Sequence, residues 1–279
     1  MSGAGRSAPD AELVGLAAAA VTAGRVILAV AEAGFDVARK SDASPVTVAD
    51  ERAEAILLAE LAARFPGVAV VAEEAAAAGR VPGDLGARFF LVDPLDGTRE
   101  FVSGNGEYTV NVGLIEEGRP VVGVVHAPAL GEIFVGRVGH GAWVGTVAAD
   151  GAIAWRAIAV RAAPATAVVL ASRSHGDAAT AALIVALGPV ETRAAGSSLK
   201  FCRIAEGAAD LYPRFGRTME WDTAAGEAVL RAAGGAVVDP AGRALGYGKR
   251  AAGFANSAFL AFGDAGVGAR AVTAAATGA

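Results

Sequence analysis

The chain of 279 residues holds one cysteine, Cys202, and three histidines. A lone cysteine excludes an intrachain disulfide and any multi-cysteine metal site. Set in a helical-looking run, Cys202 reads as a buried structural thiol rather than a nucleophile. Basic residues number 24 against 29 acidic ones, a net charge of −5, and no lysine or arginine cluster stands out. Nucleic-acid binding, which relies on neutralising several backbone phosphates, is therefore not expected. A small anionic substrate stays open, because bound cations reverse the local charge. Apolar runs are short as well. The longest, residues 13–34, is broken by Arg25 and Glu32, and a spanning helix needs ~20 mostly apolar residues. Asp10 and Glu12 stand where a secretory leader would carry basic residues. The expectation is a cytoplasmic protein without stable membrane insertion; loose peripheral association stays open, and the oligomeric state is not legible. A dinucleotide fingerprint is also missing, since Gly104-Asn105-Gly106 has no third glycine at the required spacing.

What is present is 54% hydrophobic, much of it alanine, in a length that suits one large domain or two closely packed ones. The first ten residues, small and polar, read as an unstructured start. Helical periodicity covers residues 10–39 and 50–64, the second ending at Pro66-Gly67. A strand at 68–71 delivers Glu73-Glu74, and a loop of small residues follows to 86. Strands at 108–115 and 121–125 flank Glu116-Glu117-Gly118-Arg119, a hairpin signal, with further strands at 133–135 and 142–144. Beyond about residue 160 the texture changes. A strand is expected at 168–171, helices at 177–187, 197–208 and 222–233, and strands at 236–238 and 259–262. Helices and strands intersperse without strict alternation, so the fold class is layered α/β or α+β rather than a barrel.

The most informative segment is Phe89-Phe90-Leu91-Val92-Asp93-Pro94-Leu95-Asp96-Gly97-Thr98. An apolar strand ends in two aspartates around a proline turn. Asp93 and Asp96 can face one point, with the Leu95 carbonyl between them and the Gly97 and Thr98 amides just beyond. Hard divalent cations want clustered oxygen ligands, and phosphates want metals and backbone N–H groups. A pair of acids beside an apolar strand is costly without a cation, so the turn reads as the centre of a metal-dependent phosphatase. Asp50, Glu73-Glu74 and Asp222 are the other acids at the edges of apolar segments. Asp222 also sits where a helix N-cap belongs.

Together with Lys40-Ser41-Asp42, Ser172-Arg173-Ser174-His175, Gly196-Ser197-Ser198-Leu199-Lys200 and Tyr212-Pro213-Arg214, these stretches and Trp221-Asp222-Thr223-Ala224-Ala225-Gly226 resemble the signatures of the inositol monophosphatase superfamily. The match is similar to its bacterial CysQ branch, the 3′(2′),5′-bisphosphate nucleotidases, from about residue 12 to about 262. The resemblance implies an αβαβα sandwich in two subdomains. One, residues 1–155, would carry most metal ligands; the other, 156–279, would carry Asp222 and the specificity residues. It implies two to three Mg²⁺ ions held by Glu73, Asp93, the Leu95 carbonyl, Asp96 and Asp222, with Asp50 supporting a weaker ion or its water. Catalysis would draw on Glu73, Asp50, Asp96 and Thr98. Gly97, Thr98 and Asp222 would contact the scissile phosphate region, while Ser197, Ser198, Lys200 and Arg214 would clamp a second phosphate and His175 would stand near adenine. Glu100, Lys40 and Asp42 would line the entrance. The implied substrate is 3′-phosphoadenosine 5′-phosphate (PAP) or its sulfated form (PAPS), with lithium sensitivity; inositol monophosphate or fructose 1,6-bisphosphate is the alternative. Ser257 after Asn256, where relatives usually place proline, departs from the pattern.

Overall fold

The structure, a computed structural model, describes residues 8–39, 45–172 and 177–277. Lys40, Asp42 and His175 lie outside the described residues. Helix α1 (Ala11–Ala33) starts at Asp10, whose carboxylate accepts the Leu13 amide at 2.9 Å. It stops earlier than the periodicity predicts. Gly34 turns to φ 76°, a left-handed conformation that glycine enters freely. Strands β1 (Ala38–Arg39) and β2 (Pro45–Val46) then pair antiparallel. By length and composition α1 does qualify as a membrane span despite Arg25 and Glu32, yet 56% of its apolar window is buried inside the protein. Helix α2 (Val48–Arg64) opens on a capping box in which Thr47 and Asp50 satisfy each other's amides.

Strand β3 (Ala69–Ala72) runs into the short helix α3 (Glu73–Ala77) and pairs parallel with β4 (Arg88–Asp96). Helix α4 (Thr98–Ser103) follows directly. An antiparallel meander then extends the sheet through β5 (Thr109–Glu116), β6 (Arg119–Ala127), β7 (Glu132–Arg137), β8 (Gly141–Val147) and β9 (Ile153–Ile158). The β5–β6 hairpin turns on Glu117 and Gly118, both at positive φ. A second sheet collects β10 (Val168–Ser172), β11 (Glu191–Ala195), β12 (Leu211–Arg214), β13 (Ala236–Val238) and β14 (Phe259–Phe262) in the order β11-β10-β12-β14-β13. Between and after these strands come α5 (Ala178–Ala186), α6 (Leu199–Ala205), α7 (Glu220–Ala232) and α8 (Ala265–Thr277).

Side-chain alternation divides the interior into three cores. On β4, Phe90 and Val92 face α1 and α2, whereas Phe89 and Leu91 join α6, α7 and one face of the second sheet. Val169, Leu211 and Leu260 point to the other side of that sheet, against α5 and α8. The layers therefore run αβαβα, the sandwich expected from the resemblance.

Helix α7 lies unusually close to the first sheet because the sheet gives way beneath it. Gly113, Gly123 and Gly136 sit opposite one another on β5, β6 and β7. A Cβ at Gly113 would stand 2.8 Å from the Ala224 Cβ, and one at Gly136 would stand 2.8 Å from the Val229 Cα. At Gly123 it would collide with the Ala225 carbonyl oxygen. The opposite side of α7 carries Gly226, where a Cβ would meet the Phe201 ring at 2.5 Å. Alanine-rich sequence on the helix and a glycine furrow on the sheet are thus two halves of one packing solution.

Gly123→Ala is predicted to destabilise by roughly 1–3 kcal/mol, because helix backbone rather than a flexible side chain blocks the new methyl group. Gly246→Ala, which meets nothing within 4 Å, should stay within about 0.5 kcal/mol. Thermal denaturation of the two variants would decide it, and equal shifts would refute the close-packing argument.

Candidate active site

In a regular strand, residues three apart point to opposite faces. Asp93 and Asp96 escape this rule through a β-bulge at Pro94-Leu95. Asp93 pairs with Asn111 and Asp96 with Thr109, so two residues of β4 oppose one of β5. The extra residue returns both aspartates to one face. Proline suits this position, since it has no N–H to offer the ladder. Gly97 then takes φ 93° and starts α4, while the Asp93 carboxylate accepts the Leu95 amide at 3.0 Å.

Other elements aim their acids at the same place. Glu54 of α2, itself buried, caps α3 by accepting the Glu74 and Ala75 amides, each at 2.8 Å. Its charge fixes the turn from which Glu73 projects. Asp50 spends one oxygen on its capping box, and its Oδ1 accepts the Thr98 hydroxyl at 3.3 Å. The same hydroxyl lies 3.3 Å from the Leu95 carbonyl. Asp222 does not cap α7 from the N-cap position that the sequence suggests. That position is Met219, and Asp222 reaches back to accept its amide at 2.8 Å.

Glu73, Asp96, Gly97, Thr98 and Asp222 line one cavity of about 220 Å³, together with Ser197, Lys200 and Arg214. Asp50, Asp93, Leu95 and Ser198 are buried beside it and do not line it. Ser198 points inward: its amide and hydroxyl reach Asp96 Oδ2 at 2.6 and 2.9 Å. The pair read as a clamp therefore divides, with Ser197 on the cavity and Ser198 beneath it. Lys200 is buried, 5.0 Å above the Tyr212 ring, and donates to the Ala195 and Ser197 carbonyls at 3.2 and 2.7 Å. Burial lowers its pKa to about 8, with the Asp96 charge pulling the other way.

Burial, followed by the charges of Glu73, Asp96 and Asp222, pushes Asp93 well above the ordinary carboxylate range. Asp222 is driven up by burial and by Asp96 and Glu73. Asp96 is raised less, because Lys200 and the donors from Ser198 and Asn111 offset its burial. Among the described residues no three such groups already stand as a closed metal cage, so these carboxylates would turn toward an ion to ligate it. The donor set nevertheless fits a hard divalent cation. It consists of oxygens, and burial among the charges of Glu73, Asp96 and Asp222 makes Asp93 keep its proton well above the ordinary carboxylate range. A cation can replace that proton.

Sequence reasoning gave no role to Asn111, Tyr212 or Arg217, although Tyr212 stands in a stretch that carries the resemblance. Asn111 is apolar-strand interior by pattern, and only the cross-strand register places it beside Asp96. Arg217 is exposed, lines this cavity, and also lines a neighbouring one of about 590 Å³ walled by Met219, Trp221 and Phe254. No local pattern marks it.

Comparison with known proteins agrees with the geometry. The Inositol monophosphatase family model matches residues 11–267. The 3′(2′),5′-bisphosphate nucleotidase CysQ of Salmonella typhimurium is 46% identical over 213 residues, covering 76% of this chain and 83% of the relative. Its Escherichia coli K12 counterpart is 45% identical over the same length and coverage. The crystal structure of CysQ from Bacteroides thetaiotaomicron, described as a bacterial member of the inositol monophosphatase family, superposes with TM-score 0.75 at 35% identity. It covers 90% of this chain and 97% of that one.

A raised carboxylate pKa contributes its full stabilisation below the ordinary carboxylate range, and that contribution is lost as pH climbs through the raised value. A Mg²⁺ ion bound by these oxygens would compete with those protons. The gain in melting temperature on adding Mg²⁺ is therefore predicted to grow from about pH 5 to about pH 8. A gain that is flat or falling over that interval, measured by scanning calorimetry, would contradict the raised carboxylate pKa values of Asp93 and Asp222.

Proposed function

The chain belongs to the inositol monophosphatase family, and we propose that it is a Mg²⁺-dependent 3′(2′),5′-bisphosphate nucleotidase that hydrolyses the 3′-phosphate of PAP to AMP and phosphate, with PAPS as a second substrate. One observation carries the reading. Carboxylates from β4, α3 and α7 share a single cavity with Lys200 and Arg214, so cation ligands and phosphate-binding cations stand side by side. The names of the relatives at 45 and 46% identity support it.

In this reading Glu73, Asp93, Asp96, Asp222 and the Leu95 carbonyl hold two to three Mg²⁺ ions. When bound, Mg²⁺ supplies the positive charge that acidifies water and stabilises the leaving oxygen. The chain's own groups do the rest. Glu73 and the Thr98 hydroxyl orient the attacking water for in-line displacement, and Asp50 fixes the Thr98 rotamer through the 3.3 Å contact. The Gly97 and Thr98 amides, at the start of α4, offer N–H groups to the phosphate oxygens. Lys200, still largely protonated near pH 7 given a pKa of about 8, holds the 5′-phosphate with Arg214 and Ser197. Arginine adds a planar fork suited to phosphate. The resemblance assigns His175 to the adenine. A cytoplasmic setting belongs to the same reading, as does the division at about residue 155 into a metal-bearing and a specificity subdomain.

Phosphate release from PAP, inositol 1-phosphate and fructose 1,6-bisphosphate, each with Mg²⁺ and with EDTA, tests the reaction. PAP is expected to be preferred and all turnover to stop in EDTA. Asp96→Asn should abolish turnover of every substrate. Lys200→Ala should lower kcat/KM for PAP roughly 10- to 100-fold, the worth of a charged hydrogen bond, while sparing inositol 1-phosphate. Better rates on the sugar phosphates would sink the nucleotidase reading, and an equal loss on both substrate types would remove Lys200 from the clamp.

A further inference from the structure

Strands β4 and β5 and helix α7 meet at one buried hydroxyl, that of Ser198. The Ser198 amide reaches Asp96 Oδ2 at 2.6 Å, and its Oγ lies 2.9 Å from that oxygen and 2.6 Å from the Asp222 carbonyl. Behind it Asn111 donates through Nδ2 to Ser198 Oγ at 3.0 Å and to Asp96 Oδ2 at 3.4 Å. Both residues are buried, Ser198 at 1% and Asn111 at 0% exposure. With its oxygen receiving the Asn111 amide, the hydroxyl has one proton for two acceptors: the carboxylate on β4 and the backbone of α7.

The surroundings force this arrangement. Ser197 is held at φ 45°, a left-handed conformation that non-glycine residues avoid. Gly196 donates to Glu107 Oε2 at 2.8 Å and is packed so tightly that a Cβ there would stand 2.6 Å from the Glu107 carbonyl oxygen. Asn111 Oδ1 is buried without a hydrogen-bond partner among the described residues. An amide that leaves its own oxygen unsatisfied so that its nitrogen can serve Asp96 and Ser198 is oriented for that service. All these donors go to one carboxylate oxygen, Oδ2. Oδ1 of Asp96 is thereby left for the cavity that Asp96 lines.

We infer that Ser198, backed by Asn111, is a positioning residue that presents Asp96 Oδ1 to the cation and fixes its separation from Asp222. The inference rests on the metal-dependent reading above. It assigns Ser198 no contact with substrate, in contrast to its neighbour Ser197.

Calorimetric titration of the substrate-free protein with Mg²⁺ tests it, using Ser198→Ala, Asn111→Ala, the double variant, and Val169→Ala as a core control remote from the cavity. Partners that orient metal ligands are worth about 10- to 100-fold in metal affinity. Ser198→Ala is expected to weaken Mg²⁺ binding at least about tenfold. Asn111→Ala should weaken it less, and the double variant should lose no more than Ser198→Ala alone. Val169→Ala should lower the melting temperature and leave the Mg²⁺ dissociation constant unchanged. Affinity unaltered in Ser198→Ala, or weakened equally in Val169→Ala, would overturn the positioning role while leaving the metal-dependent reading intact. Native protein that binds no Mg²⁺ would overturn both. Should Ser198→Ala fail to fold, Asn111→Ala alone decides: native-like Mg²⁺ affinity in that variant would overturn the role.

Discussion

The approach of α7 to the first sheet is the constraint on which the site depends. Asp222 and the β4 aspartates are more than a hundred residues apart in sequence, and no flexible loop could hold like charges together. The glycine row under α7 lets a helix of alanines lie almost on the strand backbones. The first turn of that helix, tied by Asp222 to the Met219 amide, then projects over the end of β4. Buried close packing of this kind has little compliance, which is what a set of mutually repelling carboxylates requires of its frame.

Each acid in the cluster is held in place by hydrogen bonding that competes with its neighbours' repulsion, Asp222 through the Met219 amide and Glu73 through the helix that carries it. Glu54 holds the helix that carries Glu73, Ser198 holds Asp96, and the Leu95 amide holds Asp93. These bonds restrain position more than they remove charge, since burial still leaves Asp93 and Asp222 far above their ordinary pKa. The folded chain therefore carries an electrostatic cost that its own donors do not cancel. Such residual frustration, concentrated at one cavity, is the expected mark of a functional site.

Much of this was legible in the sequence. The apolar strand, its Asp-Pro-Leu-Asp-Gly-Thr ending and the hairpin at Glu116–Arg119 were visible because each rests on local chemistry. Residues 50–64 were placed as a helix to within two residues of the observed start. Failures came where tertiary context decides. The first helix was drawn to residue 39 because alanine continues, whereas Gly34 ends it. Strand β9 and helix α8 were missed, the one for its polar alternation and the other because alanine and glycine carry no clear period. Asp222 read as an N-cap because capping at N3 differs from N-cap by register alone. Asn111 looked like any buried strand residue, and Ser198 like its cavity-lining neighbour Ser197. The bulge that turns Asp93 and Asp96 to one face is a property of pairing with β5, which no single segment encodes.

The cations of the cavity complete the argument. Lys200 and Arg214 line the same space as Glu73 and Asp222, yet Lys200 spends its donors on backbone carbonyls and its face on Tyr212 rather than on a carboxylate. A structural ion-pair network would have brought the charges into contact and lowered the acid pKa values, as Arg161 does for Asp210 through bonds of 2.9 and 2.8 Å. Here the charge of Lys200 acts on Asp96 without cancelling the effect of its burial. A small cavity lined by both signs of charge suits a ligand that is cationic on one side and anionic on the other. A metal-bound phosphate has that polarity, and an apolar metabolite or a lone anion does not.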